Sequence, residues 1–246
     1  MSSPLQHNLE LVRDRIEQAR GRSPHPGNAR LLAITKRNSA ALAHELFELG
    51  VCDLGENRLE SFEHKRAWFA QHAPDAEVRW HFIGHLQRNK ARKVVALADE
   101  IHSVDSLRLL ETLERICREE GVERRIYLQV KLTDEPNKHG LDPEDLPRAL
   151  ALAATCRNAR PAGLMCMAAP AVDDSGQQAA RAVFERLAEL AHEASEVSWT
   201  DGRPLLSMGM SADYEVAAEC GSDWLRVGSA IFAGVEDSNE EGRSHV

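Results

Sequence analysis

A single (β/α)8 barrel is the fold class this sequence predicts, and three observations predict it. Short apolar runs alternate with helix-like stretches along almost the whole chain, the pattern of a parallel sheet covered by helices. Eight such runs fit into 246 residues, the size at which β/α units of this kind close on themselves. Neither G-x-G-x-x-G nor a P-loop occurs, which counts against the runner-up, a doubly wound open sheet.

The elements follow in order. In MSSPLQHNLELVRDRIEQARGR, residues Leu9, Val12 and Ile16 fall on one helix face. The linker Ser23–Ala29 (SPHPGNA) breaks that helix from the first strand run, Arg30–Thr35. Ser39–Gly50 reads as a helix with Ser39 as N-cap and Gly50 at its end. Val51–Leu54 is the second strand, with a helix following to about Ala70. Strands are then expected at Val78–Ile83, Glu100–Val104, Ile126–Val130 and Ala162–Met165. The helices after them are Leu86–Leu97, Ser106–Glu120, Pro143–Cys156 and Gly176–Ala194. Leu205–Ser207 is a minimal strand, Asp213–Cys220 a helix, and Trp224–Val227 the last strand. One domain over 1–234 is expected, with its N-terminal helix at 1–22 and a polar, frayed tail at 235–246.

Composition narrows the function classes. Hydrophobic content of 43% and charged content of 28% are ordinary for a soluble globular chain. The formal net charge of −9 argues against nucleic acid as the main partner. No apolar run approaches a membrane span, and the N-terminus has no apolar signal core. The five cysteines contain no C-x-x-C pair, so neither a disulfide framework nor a structural zinc site is expected. A cytoplasmic protein fits all of this.

In a barrel, chemistry gathers at the carboxyl ends of the strands. Those positions hold Lys36; Gly55, Glu56 and Asn57; His81 and Gly84; Ser103 and Asp105; Lys131; Met165; Ser207 and Ser211; and Arg226, Gly228 and Ser229. The clusters SMGMS (207–211) and Gly228–Ser229 follow the last two strands, where barrels often bind phosphate. Glycines admit close backbone approach, and N–H groups and hydroxyls donate to the anion. Small residues also permit tight turns, but two clusters at adjacent strand ends favour phosphate.

Lysine is scarce, at six residues against twenty-four arginines. Lys36 directly follows LLAIT, and an amine desolvated at a barrel mouth becomes a nucleophile toward carbonyls. A strand-end lysine reaching into water is the competing reading, and Lys131 after IYLQV has the same placement. A lysine beside a phosphate cradle points to a phosphorylated aldehyde, of which pyridoxal 5′-phosphate (PLP) is the obvious one. Arg226 sits in an apolar strand and needs a partner. A ring nitrogen facing it would stay unprotonated, because guanidinium only donates. The alternative is an outward arginine paired with Asp223 or Glu219. The pair His81 and His85 lacks the Glu of H-E-x-x-H, and Gly84 between them argues for a turn, so no zinc is expected there. Leu86–Lys93 reads as a basic solvated face, with a second anion site as the minor reading. Cys166 reads as core packing.

The residues LLAITK, GEN (Gly55–Asn57), WHFIGHLQRNK (Trp80–Lys90), GLM (Gly163–Met165) and LSMGMSADYEVA…GSDWLRVGSAIFAG resemble the pyridoxal phosphate homeostasis protein family, in order from about residue 30 to 234. The resemblance implies a barrel similar to the N-terminal domain of alanine racemases, with PLP held as a Schiff base on Lys36. It implies Ser207, Gly209, Ser211, Gly228 and Ser229 as phosphate ligands, with Ser211 favoured over Ser207 as the main hydroxyl. Arg226 matches the residue facing the pyridine nitrogen, and Asn57 a polar neighbour of the ring. Thr35 stands where the family has serine, and Arg58 where an aromatic is common. The loop Asp134–Gly140 carries Pro136 and His139, and CMAAP follows GLM; none of these removes a ligand. The implied function is buffering or delivery of PLP without turnover, by a monomer whose partners are PLP itself and PLP-dependent apoenzymes. The alternative is a racemase or decarboxylase. Racemases of this fold take a second base from an added domain and a partner subunit, which this chain is not expected to have. A third reading, a sugar-phosphate enzyme using Lys36 or Lys131, conflicts with the motif match.

Overall fold

The computed structural model describes residues 3–133, 139–169, 173–194 and 197–237. Pro136 and residues 238–246 of the expected tail lie outside these. Helix α1 (Pro4–Gly21) starts at Ser3, whose hydroxyl accepts from the Gln6 N–H at 3.2 Å. It buries Leu5, Leu9, Val12, Ile16 and Ala19 against the rest of the molecule, each large side chain contributing about 1.5–3 kcal/mol of hydrophobic stabilisation. Asn8 Nδ2 donates to the carbonyls of Ile231 (3.0 Å) and Ala233 (2.8 Å), which ties α1 to the segment after the last strand.

Among the described residues eight parallel strands close into a barrel in chain order. They are β1 (Arg30–Ile34), β2 (Asp53–Glu56), β3 (Arg79–Phe82), β4 (Glu100–Val104), β5 (Arg124–Gln129), β6 (Ala159–Met165), β7 (Leu205–Met210) and β8 (Trp224–Val227). β8 pairs with β1 through Arg30↔Trp224 to Ala33↔Val227, so the sheet has no free edge. Helices α2 (Ala40–Glu48), α3 (Leu59–His72), α4 (Ala91–Leu97), α5 (Leu107–Glu120), α6 (Leu146–Ala153), α7 (Asp174–Glu193) and α8 (Tyr214–Glu219) alternate with the strands. Ser39 caps α2 by accepting from Leu42 N–H at 3.1 Å, and Asp237 in turn accepts from Ser39 N–H at 2.6 Å. The first residues of the expected tail are thus tied to the barrel.

Several boundaries differ from expectation. The second strand begins two residues late: Val51 N–H still bonds back to Leu46 carbonyl (3.0 Å), so pairing starts at Asp53. Leu86–Leu97 and Pro143–Cys156 each open with a 3-10 turn, at Arg88–Lys90 and Pro143–Asp145, before α4 and α6 begin. β7 runs on to Met210, with three residues from Ser207 opposing two of β8. The extra residue makes a β-bulge, and Gly209 takes φ +88° within it.

Two cores result. The outer one packs strands against helices, with Leu46, Phe62, Val95, Leu113 and Phe184 fully buried. The inner one fills the lumen with Leu32, Ile34, Tyr127, Ala162, Met165, Leu205 and Trp224. Buried polar residues also lie along the strands, among them His81, Glu100, His102, Ser207 and Arg226.

Candidate functional site

Lys36 leaves the end of β1 just after Thr35, whose N–H still donates to the Gly55 carbonyl (3.1 Å). Its side chain is exposed at the rim. Desolvation of the amine lowers its pKa below the usual 10.5; Arg37 and Arg58 push the same way, and Glu56 opposes them. Glu56 itself is not at the rim. It is fully buried, accepting from Thr35 Oγ1 (2.5 Å) and Ser61 Oγ (2.8 Å) and pairing with Lys65 Nζ (2.9 Å). Lys65 is buried on α3, where a search of strand ends does not look. Its spacing of four from Ser61, which accepts from it at 3.0 Å, is the only local signal.

Asn57 follows β2, and its Oδ1 is buried with no hydrogen-bond partner. Gly84 holds this turn in place: a Cβ there would lie 2.0 Å from the Asn57 carbonyl oxygen. At the other side of Lys36, Gly228 follows β8, and a Cβ there would lie 2.9 Å from the Ile34 carbonyl oxygen. The turn after β8 is therefore pressed against the end of β1. Ser211 Oγ accepts from Gly228 N–H (3.1 Å) and Ala230 N–H (3.4 Å), so two backbone donors and one hydroxyl converge at one place. An anion placed there would replace the serine as acceptor and could receive all three. Ser229 is exposed beside them.

Ser207 and Gly209 lie apart from this cluster, inside β7. Gly209 forms the bulge, and its Cα faces Ala217 and Tyr214 of α8 too closely for a side chain. The Ser207 hydroxyl is in the lumen, accepting from Arg226 Nη1 (2.9 Å) and meeting His102 Nδ1 (2.8 Å). Arg226 is buried and turned inward, with a second bond from Nη2 to the Cys166 carbonyl (2.9 Å). The acids considered as outward partners are taken: Asp223 by Arg203, and Glu219 by Arg22 and Arg181. Burial lowers the Arg226 pKa, and Asp213 and Cys166 oppose it.

From Ser207 the bonding continues down the lumen. His102 Nε2 meets His81 Nδ1 (3.0 Å), and His81 Nε2 meets Asp53 Oδ1 (3.0 Å) at the start of β2. Burial, helped by His81, Arg226 and Arg125, drives the His102 pKa well down, so His102 is neutral. Arginine only donates and carboxylate only accepts. Arg226 therefore donates to Ser207 at one end of the line, and Asp53 accepts from His81 at the other. Sequence reading missed His102 because EIHSV looks like an apolar run. The alternation of Glu100 and His102 with Ile101 was the signal that they share a face. Tyr127 donates to Glu100 (2.8 Å) and accepts from Trp224 Nε1 (2.7 Å), deep in the same lumen.

Lys131 follows β5, on the opposite side of the ring from β1, and is not among the β7–β8–β1 residues. A cavity of about 490 Å³ is at the other end of the barrel, between α1 and the starts of β1 and β2. One of about 220 Å³ opens at the mouth beside Asn57, Arg58 and His85.

Comparison with known proteins gives a consistent picture. Residues 6–235 match the family model "Alanine racemase, N-terminal domain". The pyridoxal phosphate homeostasis protein of Pseudomonas aeruginosa is 36% identical, over 94% of this chain and 95% of its own. That of Synechocystis is 34% identical, over 84% and 92%. PipY of Synechococcus elongatus, solved with PLP bound, is 34% identical with a TM-score of 0.76, over 93% of this chain and 99% of its own. Alanine racemase of Corynebacterium glutamicum shares the fold alone, with a TM-score of 0.67 at 14% identity over 96% of this chain and 64% of its own. With the barrel closed and these relatives matched over nearly their whole length, the chain belongs to the pyridoxal phosphate homeostasis protein family, on the alanine racemase N-terminal-domain fold.

Proposed function

We propose that this chain binds pyridoxal 5′-phosphate and buffers or delivers it to apoenzymes that use it, without turnover of its own. The observation that carries the reading is the cluster at the ends of β1, β7 and β8. There the Lys36 amine, exposed at the rim with its pKa lowered by partial desolvation, leaves β1, the strand paired with β8, and past the ends of β7 and β8 a hydroxyl and two backbone N–H groups converge on one point. The residues fit the cofactor. Asn57 Oδ1 is a buried acceptor without a donor, which a ring hydroxyl would supply. Ser211, Gly228 and Ala230 suit a phosphate, with Ser229 beside them; Ser207 and Gly209 serve it indirectly, by holding Arg226 and by bending β7.

When bound, the cofactor supplies an aldehyde for covalent attachment and a pyridine ring that can accept electrons. The Lys36 amine adds to that aldehyde with loss of one water. Arg226, held from behind by Ser207 and the Cys166 carbonyl, presents donors only and so keeps a facing ring nitrogen unprotonated. That weakens the ring as an electron sink and favours storage over carbanion chemistry. Racemisation also needs a second acid–base group across the ring. Tyr127 is committed to Glu100 and Trp224, and Tyr214 is buried at the start of α8, so neither tyrosine is placed for that task.

The test is the visible spectrum of the purified chain with and without added PLP, before and after borohydride, beside Lys36→Ala. Wild type should show the band of lysine-bound cofactor and carry the label on Lys36 after reduction; Lys36→Ala should show neither. Amino-acid racemisation or decarboxylation by the loaded wild type would overturn the carrier reading. Label on Lys131 in place of Lys36 would overturn the site.

A further inference from the structure

Helix α3 buries Leu59, Phe62, Lys65 and Phe69. Spacings of three and four put these residues on one face, and that face is apolar except for the lysine. The Lys65 amine is not left alone there. Nζ lies 2.9 Å from Glu56 Oε1 and donates to Ser61 Oγ at 3.0 Å, with Lys65 2% exposed and Glu56 fully buried. Glu56 ends β2, and its carboxylate also accepts from Ser61 Oγ (2.8 Å) and from Thr35 Oγ1 (2.5 Å).

Two buried ions give up hydration that their attraction repays only in part, and an apolar pair of the same volume is often no less stable. Stability is therefore a weak reason for this pair. Its place in the chain supplies a better one. The carboxylate belongs to the residue before Asn57, and the hydroxyl it holds belongs to the residue before Lys36. Thr35 is held from three directions. Its N–H donates to the Gly55 carbonyl (3.1 Å), its carbonyl accepts from Asn38 N–H (2.8 Å), and its hydroxyl donates to Glu56. The two backbone bonds set the turn that carries Lys36. The hydroxyl bond ties that turn to α3 through the carboxylate.

We propose that Glu56, clamped by Lys65, is a positioning residue for cofactor attachment: through the Thr35 hydroxyl it fixes the end of β1 from which Lys36 reaches the PLP aldehyde. The inference rests on the reading that Lys36 carries the cofactor. An ionised carboxylate has lone pairs enough for Thr35, Ser61 and Lys65 together, and its hydrogen bonds are shorter and stronger than those of a neutral acceptor. Lys65 supplies the counter-charge that a buried carboxylate needs. Attachment requires the amine to be aligned with the aldehyde carbon, and a displacement of about 1 Å can cost about a hundredfold in rate. Glu56 itself touches neither the amine's target nor the phosphate cradle at Ser211, Gly228 and Ala230.

The test mixes PLP with the cofactor-free full-length chain and follows the band of lysine-bound cofactor by stopped flow, over a range of PLP concentrations. Thr35→Val removes the hydroxyl at nearly constant volume. It should slow the limiting rate about tenfold or more, with little change in the half-saturating concentration, which the phosphate cradle sets. Thr35→Ser restores a hydroxyl and should recover most of that rate. Lys65→Met should also slow attachment, and the double variant Thr35→Val/Lys65→Met should be no slower than the slower single one, because both act through Glu56. If Lys65→Met does not fold, the two Thr35 variants decide. Thr35→Val attaching at the wild-type rate, Thr35→Ser as slow as Thr35→Val, or a change confined to the half-saturating concentration overturns the proposal. So do effects of Thr35→Val and Lys65→Met that multiply. If wild type forms no band on Lys36, the cofactor site itself is wrong; if it does and Thr35→Val leaves the rate unchanged, only the positioning role is.

Discussion

Ser207 and Ser211 differ by four positions and by everything around them. Ser207 is buried between a guanidinium and an imidazole; Ser211 stands at the mouth over two backbone N–H groups. Ser207→Ala leaves Arg226 and His102 each short of a buried partner, a cost of about 1–3 kcal/mol, and should lower the thermal midpoint. Ser211→Ala removes a donor to a charged phosphate, worth about 1.5–3 kcal/mol, and should weaken PLP retention roughly ten- to hundredfold with little change in melting. Equilibrium dialysis and thermal melts on both variants check this; the reverse pattern would exchange their roles. Lys36 yields a pH prediction. Its pKa lies below 10.5, so its neutral fraction exceeds that of a free lysine at any pH below that value. The rate of PLP uptake should rise with pH, with a midpoint under 10.5. Arg37→Ala removes a cation that holds the amine's pKa down, so the midpoint should move up. A midpoint that stays or falls would discard the electrostatic account. The rim placement of Lys36, Asn57 and Gly228 was legible because each follows an apolar strand, and that of Arg226 because it stands inside one. His102 was not, and the buried role of Glu56 was not, since their meaning depends on partners 5 to 105 positions away.

At the level of elements, the alternation of runs was enough to order every strand, but not to fix all of their ends. Where β2 starts depends on a backbone bond from Val51 to Leu46 that no periodicity reveals. Where β7 ends depends on the bulge at Gly209, so a stretch that reads as loop is a bent strand. The same limit applies to Gly84. In sequence it marks a turn; in the structure it lets the loop after β3 lie directly on the Asn57 backbone. Gly84→Ala should therefore act on two neighbouring elements at once. The methyl meets backbone, which cannot rotate away, so the Asn57 turn must move. Melting should fall by several degrees and PLP retention should drop with it, whereas Gly202→Ala, with open space around it but φ +73°, should lower melting only. Retention intact in Gly84→Ala would separate Asn57 from the cofactor.

Across the whole molecule, one line of polar groups runs through the interior and little apolar surface is left open. The lumen carries a bonded line from Arg226 to Asp53, so the barrel mouth and the opposite rim share one network. On the outside, Leu11 at 42% exposure is the only large hydrophobic residue left open among the described residues. A stable homodimer interface has an apolar core, and a single leucine on α1 does not make one. No helix of the structure is long and apolar enough to cross a membrane. With a net charge of −9, copies of the chain also repel one another at low ionic strength. The chain should therefore sediment as one 27.3 kDa species, with or without PLP, at concentrations up to tens of micromolar. The proposed delivery of the cofactor needs the mouth of the barrel open, and a monomer would keep it so. If sedimentation equilibrium gives a dimer, Leu11→Glu separates the cases. A dimer that dissociates on this change rests on the α1 face, away from the mouth, and leaves the delivery reading intact. A dimer that persists and also slows PLP uptake covers the mouth, and the open-carrier account fails.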